Sequence, residues 1–138
     1  MPETLLCHPE TGITFFGSIE ATKVGNIIVP SGHIILKRGV PNAFGVAHIW
    51  ARHKQDMNAL GYSSIEQVPH YVAEIVHPGA VIQYESDKRY KNHRLTIVKS
   101  ERGIAILEFI DNAYSIVTAY NRKRPRGSII GSVRPYEF

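Results

Sequence analysis

The sequence predicts an α+β domain with two helices packed on one face of an antiparallel meander sheet of four to five strands. Three observations lead there. Apolar residues between positions 42 and 57 recur at helical spacing, and a second helical stripe runs from position 65 to 76. From position 81 to 120, β-rich segments alternate with short turn-forming stretches, and such short connections force neighbouring strands antiparallel.

The elements follow in order. Ile13-Thr14-Phe15-Phe16 and Asn26-Ile27-Ile28-Val29 are β-rich and bounded by Gly12, Gly17, Gly25 and Pro30. His33-Ile34-Ile35-Leu36-Lys37 is closed by Gly39 and Pro41. The first helix starts at Asn42 or Ala43 and carries the stripe Val46, Ile49, Trp50, His53, Met57. Gly61 fits the reversal after it. Ser63 and Glu66 have capping-box spacing, and residues 64–67 read as a tight turn that places Pro69 in the first turn of the second helix. That helix carries Ile65, Val68, Val72, Ile75 and Val76 and ends at His77-Pro78-Gly79. The meander comprises residues 81–84, 94–99, 104–110 and 114–120, with Asp111-Asn112 as its last turn.

Length bounds the organisation. A chain of 138 residues is one domain: an extension of short strands over 1–31, a core over 32–122 and a basic tail over 123–138. Its 43% hydrophobic content excludes a disordered polyelectrolyte, and a lone Cys7 excludes a disulfide framework or a multi-cysteine zinc site. No apolar run approaches the ~20 residues that span a bilayer. Met1-Pro2-Glu3-Thr4 has no signal-peptide pattern, so a soluble domain is expected, and any secretion would be carried by a part outside this sequence.

Charge is divided unevenly. Residues 1–87 hold 5 Lys/Arg against 8 Asp/Glu, whereas residues 88–138 hold 11 against 4. A segment 88–138 at +7 suggests a polyanionic partner, and Tyr90, Tyr114 and Tyr120 among or near those charges suit base stacking. A basic face kept for solubility is the plainer explanation of the same charges.

The densest chemical cluster is His48-Ile49-Trp50-Ala51-Arg52-His53. His48 and Arg52 share a helix face away from the apolar stripe, whereas His53 falls within it and reads equally as a core histidine. His48 and His53 are five residues apart, with no acidic residue at a ligand-like offset, so neither a metal nor a cofactor is expected. In the meander, Lys91 and Asn92 open a strand after the basic turn. Strand alternation turns Val117 and Ala119 toward the helices and leaves Thr118, Tyr120 and a following Arg122 on the open face. Lys123, Arg124 and Arg126 then form an exposed basic loop broken by Pro125.

The stretch from Phe44 to His53 contains Gly45, His48, Ile49, Arg52 and His53 in a G-x-x-H-I-x-x-R-H pattern. It resembles the opening of phage- and toxin-associated members of the barnase/EndoU/colicin/RelE-like nuclease superfamily. Gly61-Tyr62-Ser63, His77-Pro78, Tyr90-Lys91-Asn92 and a last strand with Thr118 and Tyr120 follow in matching order. The resemblance covers roughly residues 32–122, and residues 1–31 have no counterpart in it. It implies a small metal-independent ribonuclease, delivered as the toxin domain of a longer secreted protein, as in contact-dependent growth inhibition. Catalytic residues implied are His48, Arg52, His53, Thr118 and Tyr120. Lys91, Asn92, Arg122, Lys123, Arg124 and Arg126 are expected to bind substrate.

Chemistry is consistent with that implication. Metal-free RNA cleavage needs a base for the 2′-hydroxyl, an acid for the departing 5′-oxygen and cations for the phosphorane. Histidine fills either proton-transfer role, and the arginine fork matches a phosphate. RNA is therefore the expected partner, tRNA among the candidates, with action in the cytoplasm after delivery. A toxin also implies an immunity protein, acidic where it binds. Two other classes fit the same residues: an RNA-binding module without catalysis, and a phage or effector interaction domain. A phosphate loop does not fit, because Gly127-Ser128-Ile129-Ile130-Gly131 lacks the lysine and following helix.

Overall fold

A computed structural model describes residues 1–84, 96–121 and 128–135. In chain order the elements are β1 (Ser18–Ile19), β2 (Thr22–Val24), β3 (Ile27–Val29), β4 (Gly32–Ile35), α1 (Gly45–Ala59), a 3-10 turn (Ile65–Gln67) and α2 (Val68–Ile75). Then come β5 (Val81–Tyr84), β6 (Thr96–Ser100), β7 (Gly103–Ile110), β8 (Ala113–Tyr120) and β9 (Ser128–Ser132).

The expected architecture of two helices on a four- to five-stranded antiparallel meander is not what forms. Sheet dominates. Among the described residues, seven strands make one mixed sheet in the order β1-β4-β8-β7-β6-β5-β9, and β2 and β3 make a separate two-stranded sheet. Strands β5 to β8 pair antiparallel in sequence order, but β4 joins β8 in parallel, through Ile34↔Tyr114 and Ile35↔Ser115. The sheet nearly closes on itself. Just beyond β9, Arg134 exchanges two backbone hydrogen bonds with Ser18 of β1, at 2.8 and 2.9 Å. Closure of this kind satisfies edge groups that a short meander would leave exposed. Two of the added partners, β1 and β4, come from the first 35 residues, outside the expected meander.

Local chemistry explains the elements. The β7–β8 turn, Asp111-Asn112, has both φ angles positive (53° and 63°), as a two-residue hairpin loop requires. Helix α1 lacks a side-chain cap at Phe44; instead Val46 N–H donates to Lys37 O at 3.0 Å and Ala47 N–H to Arg38 O at 2.9 Å. Carbonyls leaving β4 thus satisfy the free amides of the helix start. The capping box before α2 is formed by Ser64 and Gln67, one position later than the expected Ser63 and Glu66, because the Gln67 amide oxygen reaches back to both serine N–H groups. Pro69 sits in the first turn of α2.

One core joins helices and sheet. Val46, Ile49 and Met57 of α1 and Val68, Tyr71, Val72 and Ile75 of α2 pack with Ile34, Ile82, Val98, Ala105, Leu107, Tyr114, Ile116 and Ala119. Ile65, expected in the second stripe, is 37% exposed. No helix among the described residues is long and apolar enough to cross a membrane.

Candidate functional site

The site begins with a fault in α1. His53 has φ −127° and ψ 18°, which are not helical values, so the helix kinks at the expected catalytic cluster. A concavity of about 290 Å³ lies there, lined by residues 51–56, among them Arg52, His53 and Lys54. The half-buried His53 ring packs on Tyr120 at the end of β8, with centroids 5.3 Å apart and planes tilted by 37°. Sequence position separates the pair by 67 residues; α1 packing on β8 brings them together.

A bulge in β8 decides what faces where. Ile106 pairs with Thr118, but Leu107 pairs with Ile116, so Val117 is an extra residue. Strict alternation from Thr118 would turn Tyr114 and Ile116 outward with it. Because of the bulge, Tyr114, Ile116 and Ala119 all enter the core, and Val117 is buried outside the main core cluster. Thr118 and Tyr120 still share a face. However, Tyr120 meets α1 through His53 rather than lying wholly away from the helices, which corrects the expected helix-distal placement. Thr118 Oγ1 is enclosed and has no hydrogen-bond partner among the described residues.

His48 is held elsewhere. Its Nδ1 lies 2.9 Å from Pro41 O, and a carbonyl partner requires Nδ1 to carry the proton. In the neutral ring Nε2 is then the basic nitrogen. Arg52 is exposed beside the kink. The structure therefore joins His53 to Tyr120, sets Arg52 next to them, and anchors His48 on a different neighbour. Lys91, Asn92, Arg122, Lys123, Arg124 and Arg126 lie outside the described residues. Among the described residues, no three His, Cys, Asp or Glu side chains are grouped to hold a metal ion.

A second cavity, about 440 Å³, was not anticipated. Its walls come from the start of β5, the end of β6 and β9, and include His77, Gln83, Lys99, Glu101 and Ile129. His77 Nε2 lies 3.2 Å from the Glu101 carboxylate. A hydrogen bond from Glu101's own backbone and the nearby His77 ring hold that carboxyl below the usual carboxylate range. The only sequence signal here was Gln83, a polar residue in the otherwise apolar β5 string Val81-Ile82-Gln83-Tyr84.

Compared with known proteins, the chain matches no family model and no curated protein.

Proposed function

We propose that this domain is a metal-independent endoribonuclease that cleaves RNA by general acid–base transesterification. The observation that carries the reading is the His53 ring set against Tyr120 at the kink in α1, with Arg52 exposed beside it. In the reaction, a 2′-hydroxyl attacks the adjacent phosphorus while His53 accepts its proton. The bond to the 5′-oxygen breaks, that oxygen takes the proton back from the His53 imidazolium, and a 2′,3′-cyclic phosphate remains. His48, anchored on Pro41 O, is a second proton-transfer group only for RNA that reaches its Nε2. Arg52 neutralises the phosphorane and Tyr120 donates to a phosphate oxygen or stacks on a base. Thr118 shares Tyr120's strand face, and its enclosed hydroxyl, without a partner among the described residues, becomes a further donor only if the site opens to it. The +7 balance of residues 88–138 draws the RNA in; Lys91, Arg122, Lys123, Arg124 and Arg126 supply part of it, and Asn92 adds a neutral hydrogen-bonding group. The resemblance extends this reading to a delivered toxin acting in the cytoplasm, guarded in its producer by an immunity protein acidic at its contact surface.

The test is end-labelled RNA incubated with the protein in EDTA. Fragments with cyclic-phosphate ends are expected. His53→Ala should slow cleavage by on the order of 10²-fold or more, as loss of a positioned acid or base does. Tyr120→Phe should slow it about tenfold, the effect of losing ~1.4 kcal/mol of transition-state stabilisation. RNA retained on the protein but left uncut would assign binding without catalysis, a reading the same charge distribution favours.

A further inference from the structure

The cavity beside β9 has features that the proposed cleavage chemistry does not use. Gln83 is only 5% exposed, yet among the described residues its Oε1 has no hydrogen-bond partner. A buried acceptor left unpaired costs about 1–3 kcal/mol; the Oε1 itself is enclosed, but Gln83 lines the cavity, and a turn of its carboxamide lets a donor there satisfy it. A β-bulge lies directly opposite: Ile82 pairs with Gly131 but Gln83 with Ile129, which makes Ile130 the extra residue. Bulges of this kind re-aim side chains beside sites. Lys99 is paired with Val81, so it is the diagonal neighbour of Gln83 on the same sheet face, with Cβ atoms about 7 Å apart. Val81 and the 69%-exposed Ile129 supply apolar wall. A volume of about 440 Å³ suits a small organic ligand.

We propose that this cavity binds a nucleotide: its ring lies on Val81 and Ile129, an N–H of its edge donates to Gln83 Oε1, and its phosphate meets Lys99. The placement extends the ribonuclease reading, on which it rests, to a subsite for a neighbouring nucleotide of the same strand. Lys99 pairs across to Ile104, and Ile104 to Tyr120, so Lys99 and Tyr120 share one sheet face two strands apart, about 10 Å. Free mononucleotides offer the same ring and phosphate, and the experiment separates the two sources.

Calorimetric titration of the four nucleoside 5′-monophosphates, and of a 2′-O-methyl oligonucleotide that cannot be cleaved, would be run on wild type, Gln83→Leu and Lys99→Met. The oligonucleotide should bind wild type at least tenfold more tightly than either variant. Gln83→Leu should not lower the melting temperature, because it removes an unpaired acceptor, and Lys99→Met should flatten the salt dependence. Equal oligonucleotide affinity in all three proteins would overturn the subsite, as would no binding to wild type. Variant-sensitive binding of monophosphates alone would overturn the strand assignment in favour of a free-nucleotide site. Cleavage of RNA with variant-insensitive binding would defeat the subsite alone. Variant-sensitive binding with no cleavage would defeat the ribonuclease reading alone.

Discussion

His8 lies half-buried, its ring 5.2 Å from that of Phe16, and its Nδ1 accepts a hydrogen bond from Glu10 N–H at 3.1 Å. Burial pushes its pKa below the ordinary histidine value; Glu10 opposes the shift and His70 adds to it. Protonation is therefore easier in the unfolded chain. The stabilisation tied to neutral His8 is complete above about pH 6.5 and is lost as pH falls through the lower folded-state value. Wild type should lose more stability than His8→Phe between pH 7.5 and 5, read as the difference in their urea midpoints at each pH. A difference constant across that range would mean that the ring does not sense folding. Nothing in the residues around His8 marks it, since its environment comes from Phe16 and His70. His48 and His53, by contrast, stood out through local spacing. Yet spacing did not show that one would be tied to Pro41 and the other to Tyr120.

The turn into α1 has little freedom. Gly39 and Gly45 have φ of 73° and 81°, and each lies against the other's backbone. A Cβ on Gly39 would overlap the Phe44 carbonyl, and one on Gly45 would come within 2.5 Å of Lys37 O. This approach lets the carbonyls of Lys37 and Arg38 cap the helix. Gly61 has φ 97° but open space around it, so it separates backbone strain from contact. Gly61→Ala should cost about 1 kcal/mol and Gly39→Ala at least about 3 kcal/mol in denaturant unfolding. Similar losses would mean that the approach to Phe44 is not what constrains the turn. From sequence, Gly39 reads as the end of a strand. Its contact with residue 44 depends on where the helix sets down.

At the scale of the whole molecule, the seam between β1 and the residue pair after β9 closes the sheet. Ser18 N–H donates to Arg134 O, and Arg134 N–H returns the bond to Ser18 O. Next to it, Val133 is buried and bonded through its backbone to Gly79 and Ala80. Ser18→Pro removes one donor and disturbs its reciprocal bond. The expected loss is on the order of 1–3 kcal/mol, with faster hydrogen exchange at the Arg134 amide than in wild type. Unchanged exchange would show that the seam is not part of the cooperative fold. The exposed Arg134–Glu20 pair at 3.2 Å adds little, because both partners stay in water.

Short-range chemistry determined by the sequence alone includes the periods of α1 and α2, the placement of Pro69, and the Asp111-Asn112 hairpin. Each depends on residues within a turn or two of one another, so periodicity and turn propensity carry it. Tertiary structure alone decided the parallel β4–β8 pairing, the recruitment of β9 beside β5, and the near-closure through Ser18 and Arg134. Those bonds join backbone groups far apart in the chain and leave no period in the side chains. The bulge at Val117 belongs with them: it shifts a strand by one residue, which reverses a face without changing the composition. The same logic separates the two candidate sites. His53 lay in a recognisable local pattern, but its meeting with Tyr120, and the β9 wall that completes the Gln83–Lys99 cavity, exist only because distant segments were brought together.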